Sequence, residues 1–375
     1  MMIDKLKSVV KLHESEKNIA TEVSHALGDK KAKIGFVGAG VHATRNLYPM
    51  IHLIPEIDLV AVCCNSSEEK AKRNARNFGA LRWYTDLNKM FSQEKLDGAI
   101  VCGTPQMHYE VGKKCLDAGL PIFVEKPSAI SSKDALDLAE YASKKGLFGA
   151  VAYMKRSATC YRMAKAIVEK EEFGKITEIA VHFTTGRYPV MWGIKEPERS
   201  FLIGFAVHIF DLIRFFCGEV AEIYARLNNV KTIDDSAIFG YAITLVFKNG
   251  TVGVMNLNAS EGPGWQTHEY LTLAGFECRL EVKHMVELNY YANKKQMPEF
   301  NPDGRAQIFS WKPESTELIA SKAEGMIGYK GELQNFASAI LGKEKLRADL
   351  FDGAKGLQIA EAVWESATTQ KVVKL

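Results

Sequence analysis

The chain has 375 residues, enough for two domains at roughly 100–200 residues each. Hydrophobic residues make up 47% and charged residues 25%, a globular balance that excludes disorder as a global description. The 48 Lys and Arg against 45 Asp and Glu leave +3, too near neutral for a duplex-binding surface, and no block of like charges concentrates it, so no nucleic-acid partner is expected.

Residues 2–26 carry Ile3, Leu6, Val10, Ile19 and Val23 at helical intervals among charges and predict an amphipathic N-terminal arm, ended by Gly28. Asp4, Lys5, Lys7 and Lys11 stand where a signal peptide would be apolar. No apolar run is read as approaching the roughly 18 residues of a membrane helix. The seven cysteines (Cys63, Cys64, Cys102, Cys115, Cys160, Cys217 and Cys278) are scattered without a C-x-x-C pair, which predicts reduced thiols and no metal site. A soluble, cytoplasmic protein with no membrane partner is the expectation.

From residue 31 to about 150, short apolar strands alternate with helices. Ile34–Val37, Leu59–Cys63, Ala99–Cys102 and Ile122–Val124 are the strands; Glu68–Phe78, His108–Ala118 and Lys133–Lys145, capped by Ser131 or Ser132, are the helices. Strands without polar alternation, separated by helices, predict a doubly wound parallel sheet. After a helix over Tyr161–Glu171, the runs Ile176–Thr185, Glu222–Leu227, Ile238–Phe247, Thr251–Asn258 and Tyr270–Ala274 are β-rich. Lys248-Asn249-Gly250 reads as a hairpin turn, and residues 330–366 return to helix. A second domain over 151–375 is therefore expected on an open, mostly antiparallel sheet, with the terminal helices packing back.

Gly38-Ala39-Gly40-Val41-His42-Ala43 directly follows the first strand and matches G-x-G-x-x-A, the loop whose backbone N–H groups approach a pyrophosphate at a helix N-terminus. Pro49 implies that the helix after it is short or kinked. The second strand ends Cys63-Cys64-Asn65-Ser66-Ser67, with no acid for a ribose 2′-OH before Glu68. Asn65 and Ser66, with Lys70 or Arg73 nearby, can instead hold a 2′-phosphate, so either NAD or NADP is expected, with a tilt to NADP.

The ordered set Gly38-x-Gly40-x-x-Ala43, Gly103-Thr104-Pro105-Gln106-Met107-His108, Glu125-Lys126-Pro127, Arg156, His208-x-x-Asp211 and Gly328-Tyr329-x-x-Glu332-Leu333-x-x-Phe336 resembles the glucose–fructose oxidoreductase / inositol dehydrogenase / MocA family. The resemblance covers nearly the whole chain after the arm. It implies a Rossmann domain plus an open-faced sheet domain that often oligomerises through that sheet. It also implies NAD(P)-dependent chemistry on sugars, sugar derivatives or cyclitols. By position it makes Lys126 the catalytic lysine, whose ammonium would stabilise a developing alkoxide. The helix from Phe205 to Cys217 is apolar except for His208, Asp211 and Arg214, which share one stripe; with the resemblance, His208 becomes the candidate general base. The cofactor candidates are Gly38, Gly40, Val41, His42, Asn65, Ser66, Thr104, Pro105, His108, Glu125 and Lys126. Lys126, Tyr153, Arg156, Tyr188, Trp192, His208 and Asp211 are the substrate candidates, with Arg187 and His268 as further cleft residues.

The pattern departs from the family at Gly204, where an aspartate would stand four residues before the histidine. Asp211 or a residue from elsewhere orients the substrate or the imidazole in its place, or the histidine works unassisted. Met154 also occupies a place often polar in relatives. The expected activity is interconversion of a secondary alcohol and a ketone on a sugar, cyclitol or glycoside, including oxidation at C3. Two alternatives stay open: redox-neutral glycoside cleavage through transient C3 oxidation, and a catalytically silent cofactor-sensing regulator.

Overall fold

The computed structural model describes residues 30–231, 237–261, 268–292, 306–314 and 326–375; the arm expected over 2–26 lies outside them. The first sheet begins with β1 (Ala32–Val37), β2 (Ile57–Cys63), β3 (Arg82–Tyr84) and β4 (Gly98–Val101) and continues with β5 (Ile122–Val124) and β6 (Gly149–Val151). These strands run parallel in the order β3-β2-β1-β4-β5-β6, the doubly wound arrangement anticipated from the apolar runs. The chain winds outward from β1 in both directions, so the loops after β1 and β4 part and leave a crevice at their carboxyl ends.

Between β1 and β2 lie a π-helical segment, Ala43–Leu47, and α1 (Tyr48–Ile51). Pro49 has no N–H for an α-helical bond, and the helix is accordingly irregular and short. The other helices of this half are α2 (Glu68–Asn77), α3 (Leu87–Gln93), α4 (Pro105–Asp117) and α5 (Ser132–Lys144). Ser67, Asp86, Thr104 and Ser131 cap them through side-chain oxygens that accept backbone N–H groups of the first turn.

After α6 (Thr159–Val168), the second sheet contains β7 (Glu178–Thr184), followed in sequence by α7 (Pro197–Phe201) and α8 (Val207–Cys217), which are joined by a second π-helical segment, Leu202–Ala206. Then come β8 (Val220–Lys231), β9 (Ala237–Phe247), β10 (Val252–Asn258), β11 (His268–Ala274), β12 (Arg279–Lys283), β13 (Glu287–Ala292) and β14 (Ala306–Trp311). The C-terminal helices α9 (Tyr329–Ile340) and α10 (Leu350–Thr369) precede the two-residue β15 (Val373–Lys374). The nine strands order as β14-β13-β12-β11-β7-β10-β9-β8-β15, antiparallel except for the β7/β10 pair. Gly250, at φ +86°, closes the β9/β10 hairpin. One face of this sheet is covered by helices. On the other, β10 exposes Val252 and Val254 in alternation with buried residues.

The segment Pro197–Cys217 corrects one sequence expectation, because it is long and apolar enough to cross a membrane by length and composition. Its residues are mostly buried inside the protein, where the helix packs against α10 and the sheet, so hydrophobicity all round marks a core helix. All seven cysteines are buried and none forms a disulfide. Helix α10 packs on α5, β6, α8 and β8 and so touches elements of both sheets.

Arg156 and Asp211, expected as substrate contacts, instead hold that junction. Arg156 donates to both Asp211 oxygens at 2.6 and 2.8 Å and to Asp352 of α10 at 3.0 Å, and Arg214 donates to the other Asp352 oxygen at 3.0 Å. The polar stripe of α8 therefore turns inward after His208: its next two charges neutralise one another against α10. Removing one member of a buried pair strands the other. Asp211→Ala is predicted to lower unfolding free energy by about 3–5 kcal/mol in urea titration. A loss below about 1 kcal/mol would contradict this role.

Candidate active site

A cleft of about 740 Å³ opens where the two sheets face each other, lined from both. Its cofactor end is built on the β1 turn. Gly38 has φ +122°, and a Cβ there would collide with the Cys102 carbonyl, so only glycine lets β1 and β4 end side by side. Gly40 has open space around it, and Val41 is 80% exposed at the helix start. Tyr48 donates to the Gly38 carbonyl at 2.8 Å, and Asn74 of α2 donates to Thr44 at 3.0 Å, which fixes the loop from both sides. This cradle fits a dinucleotide pyrophosphate: bare backbone approaches at a helix N-terminus whose first-turn N–H groups have no helical acceptor. Asn65 and Ser66 are exposed after β2, and Lys70 and Arg73 are exposed on α2.

His42 lines the cleft and bridges two groups: its Nε2 lies 2.9 Å from Glu125 Oε1 and its Nδ1 2.9 Å from Asn46. Glu125 is buried, and burial alone would raise its carboxyl; His42 and Lys126 outweigh this and hold it below the ordinary range. Its other oxygen accepts the Lys126 backbone N–H at 3.0 Å.

His108 corrects another expectation. It is 1% exposed and joins two loops: Nε2 accepts the Gly103 N–H at 2.9 Å, while Nδ1 lies 2.8 Å from the Pro127 carbonyl and so carries the proton. It fixes the loops after β4 and β5 relative to each other and does not line the cleft. Pro105, also expected at the cofactor, is buried as the first residue of α4, and Thr104 is its cap; Cys102 and Gly103 line the cleft there instead.

Lys126 and His208 converge on the cleft. The Lys126 ammonium donates to the Gly204 carbonyl in the second π-helical segment at 2.9 Å. Desolvation lowers its pKa from the usual lysine value, against the pull of Glu125. His208, 6% exposed, stands well below the ordinary histidine range, first through burial and then through Lys126 and Lys155. It is neutral at pH 7 and able to accept a proton. Its Nδ1 is buried without a hydrogen-bond partner, so Asp211 does not orient it; both Asp211 oxygens belong to Arg156.

Gly204 has a steric reason. A Cβ there would meet the Tyr188 hydroxyl and lie 2.9 Å from the Trp192 ring. Tyr188 and Trp192, both expected at the substrate, line the cleft. Tyr153 does not: it is 2% exposed, its ring edge-on to His208 at 6.2 Å, behind the wall. Arg187 is exposed outside the lining, and His268 projects from the open sheet face beside Glu261, Nδ1 to Oε2 3.2 Å.

The sequence reading missed a buried ion pair in the cleft. Lys155 donates to Glu269, which also accepts the Tyr161 hydroxyl, and Lys155 lies 3.2 Å from Met285 Sδ. The signal was available: Glu269 shares strand phase with buried Leu271 and Leu273, so a charge on the inward face of β11 marks a site, whereas His268 is on the outward phase. Glu332 is buried with both oxygens unpaired, and burial, reinforced by Glu125, raises it well above the carboxylate range.

The family model GFO_IDH_MocA, described as an oxidoreductase family with an NAD-binding Rossmann fold, matches residues 32–153, and its C-terminal alpha/beta domain matches 165–375. An uncharacterized oxidoreductase of Schizosaccharomyces pombe is 25% identical over 56% of this chain and 58% of that protein. The chain thus spans under two thirds of that relative's length. A myo-inositol 2-dehydrogenase of Thermotoga maritima is 21% identical over 92% of this chain and 98% of that protein. A dehydrogenase structure from Chromobacterium violaceum superposes with TM-score 0.80 at 22% identity, covering 92% of this chain and 97% of the other.

Burial holds His108 at about 4, whereas a histidine in an unfolded chain titrates near 6.5. As pH falls below about 6.5 the unfolded state takes up the proton first. Stability present above that pH is therefore lost progressively toward pH 4, at up to ~1.4 kcal/mol per pH unit. His108→Gln should flatten this dependence in urea midpoints compared at about pH 7 and 5; equal slopes in both proteins would contradict the assignment.

Proposed function

Since the chain belongs to the GFO_IDH_MocA oxidoreductase family, we propose that it is an NAD(P)-dependent dehydrogenase interconverting a secondary alcohol and a ketone on a sugar, cyclitol or glycoside. The observation that carries this reading is the convergence of the Lys126 ammonium and a neutral His208 on one cleft beside the Gly38–Ala43 cradle. The substrate class follows the Thermotoga maritima relative's name.

When bound, the nicotinamide supplies the hydride acceptor or donor. Gly38, Gly40 and Val41 would hold the cofactor's pyrophosphate end. Lys126 has three ammonium protons and spends one on the Gly204 carbonyl, leaving two for the substrate oxygen. His208 takes the hydroxyl proton as the alcohol is oxidised and returns it on reduction. Lys126 stabilises the charge that appears on oxygen meanwhile. Asn65, Ser66, Lys70 and Arg73 favour a 2′-phosphate over a bare ribose, so NADP is the preferred cofactor in this reading. Seven buried cysteines without a disulfide bond among them fit a reducing cytoplasm.

Lys126→Met and His208→Ala should each lower turnover by about 100-fold or more with the cofactor dissociation constant unchanged. Unchanged turnover would remove both residues from the mechanism.

The open sheet face carries a valine stripe, with Val246 of β9 paired to Val252 of β10 and Val254 next along the strand. The occupant proposed for it is the same face of a second copy. Val254→Glu should shift the protein to a smaller species in light scattering; an unchanged mass would contradict that interface.

A further inference from the structure

The substrate end of the cleft is lined by a polar group of side chains and by an apolar patch. The polar groups are Lys126, His208 and the Lys155–Glu269 pair. Beside them the lining is apolar: Met191, Trp192 and Phe205 with the Tyr188 ring, while Phe183 and Met285 border Lys155 itself. A free polyol presents a hydroxyl on nearly every ring carbon, and each one desolvated without a partner costs about 1–3 kcal/mol. Among the described residues, the polar wall offers partners for only part of such a ring, and Lys155 and Glu269 already satisfy each other.

The apolar wall is also preorganised. Trp192 has φ +54° and Gly193 φ +79°, a left-handed pair that turns the chain back on itself. The Met191 N–H donates to Ser200 Oγ of α7 at 3.2 Å, and the Ile194 N–H donates to the Met191 carbonyl at 3.0 Å. The Trp192 ring lies over Gly204, within 2.9 Å of where a Cβ would stand. The absence of a side chain at 204 thus gives an indole the place that a polar group would occupy. A rigid aromatic and thioether surface beside a short polar strip matches a ligand that is itself divided.

Resting on the dehydrogenase reading above, we propose that the substrate is a glycoside with an aromatic or otherwise apolar aglycone. The sugar ring sits against Lys126, His208 and Lys155–Glu269, and the aglycone lies on the Met191–Trp192 wall. This wall is a specificity determinant, since it touches no reacting atom.

The test uses the full chain with NAD or NADP and follows nicotinamide absorbance with D-glucose, myo-inositol, methyl β-D-glucoside, phenyl β-D-glucoside and phenyl β-D-galactoside. A phenyl glycoside should exceed glucose, inositol and the methyl glycoside in kcat/KM by about tenfold or more. Trp192→Ala should erase that preference through KM, leaving the cofactor dissociation constant unchanged, and Trp192→Phe should restore most of it. Glucose, inositol or the methyl glycoside turned over as well as the phenyl glycosides, or a preference unchanged in Trp192→Ala, would overturn the proposal while the dehydrogenase reading stands. No nicotinamide reduction with any of the five would overturn both.

Discussion

The hydrogen bond from the Lys126 ammonium to the Gly204 carbonyl, 2.9 Å long, joins the end of a parallel strand to an irregular turn of a core helix, and the cleft takes its chemical character from that contact. A lysine held at this place loses water on most sides, and its pKa falls accordingly. Its remaining charge, together with burial, keeps His208 neutral. A cation that can stabilise an oxyanion and an imidazole that can accept a proton are therefore produced by one arrangement. Desolvation lowers both groups, and the lysine in turn lowers the histidine further, so one burial prepares the pair.

Around this centre the protein separates holding from reacting. His108 ties the loops after β4 and β5, the Arg156–Asp211–Asp352–Arg214 network ties α8 to α10, and His42 with Glu125 ties the dinucleotide loop to the Lys126 backbone. None of these bonds needs to change during a hydride transfer. They fix where β5 and α8 end, and that decides whether Lys126 and His208 face the same space.

Much of the fold was legible because fully buried parallel strands must be apolar throughout: β1, β2, β4 and β5 were each readable within two residues of an end. Strand β6, Gly149-Ala150-Val151, was not, because a Cβ at Gly149 would press on Ile122 at 2.8 Å and the strand has to be small to fit. The helical stretch read over 330–366 comprises two helices, divided near Gly342 at φ +71°, a boundary the apolar pattern did not mark. Within the site, Lys126, His208, Tyr188 and Trp192 were readable. Lys155 and Glu269 were passed over for their neighbours Arg156 and His268, since a reading by residue type ignores which way a strand or turn aims each side chain. Gly204 looked like a lost carboxylate in sequence and is a packing necessity in space, visible only once Tyr188 and Trp192 are placed over it.

The central claim is that His208 is kept neutral by its burial beside the Lys126 ammonium, and the most direct measurement is an NMR titration of the histidine ring signals in the unliganded protein. The His208 resonance is predicted to titrate well below the ordinary histidine range, with a midpoint that rises in Lys126→Met. A midpoint at or above about 6.5, unmoved by the loss of the lysine, would contradict it.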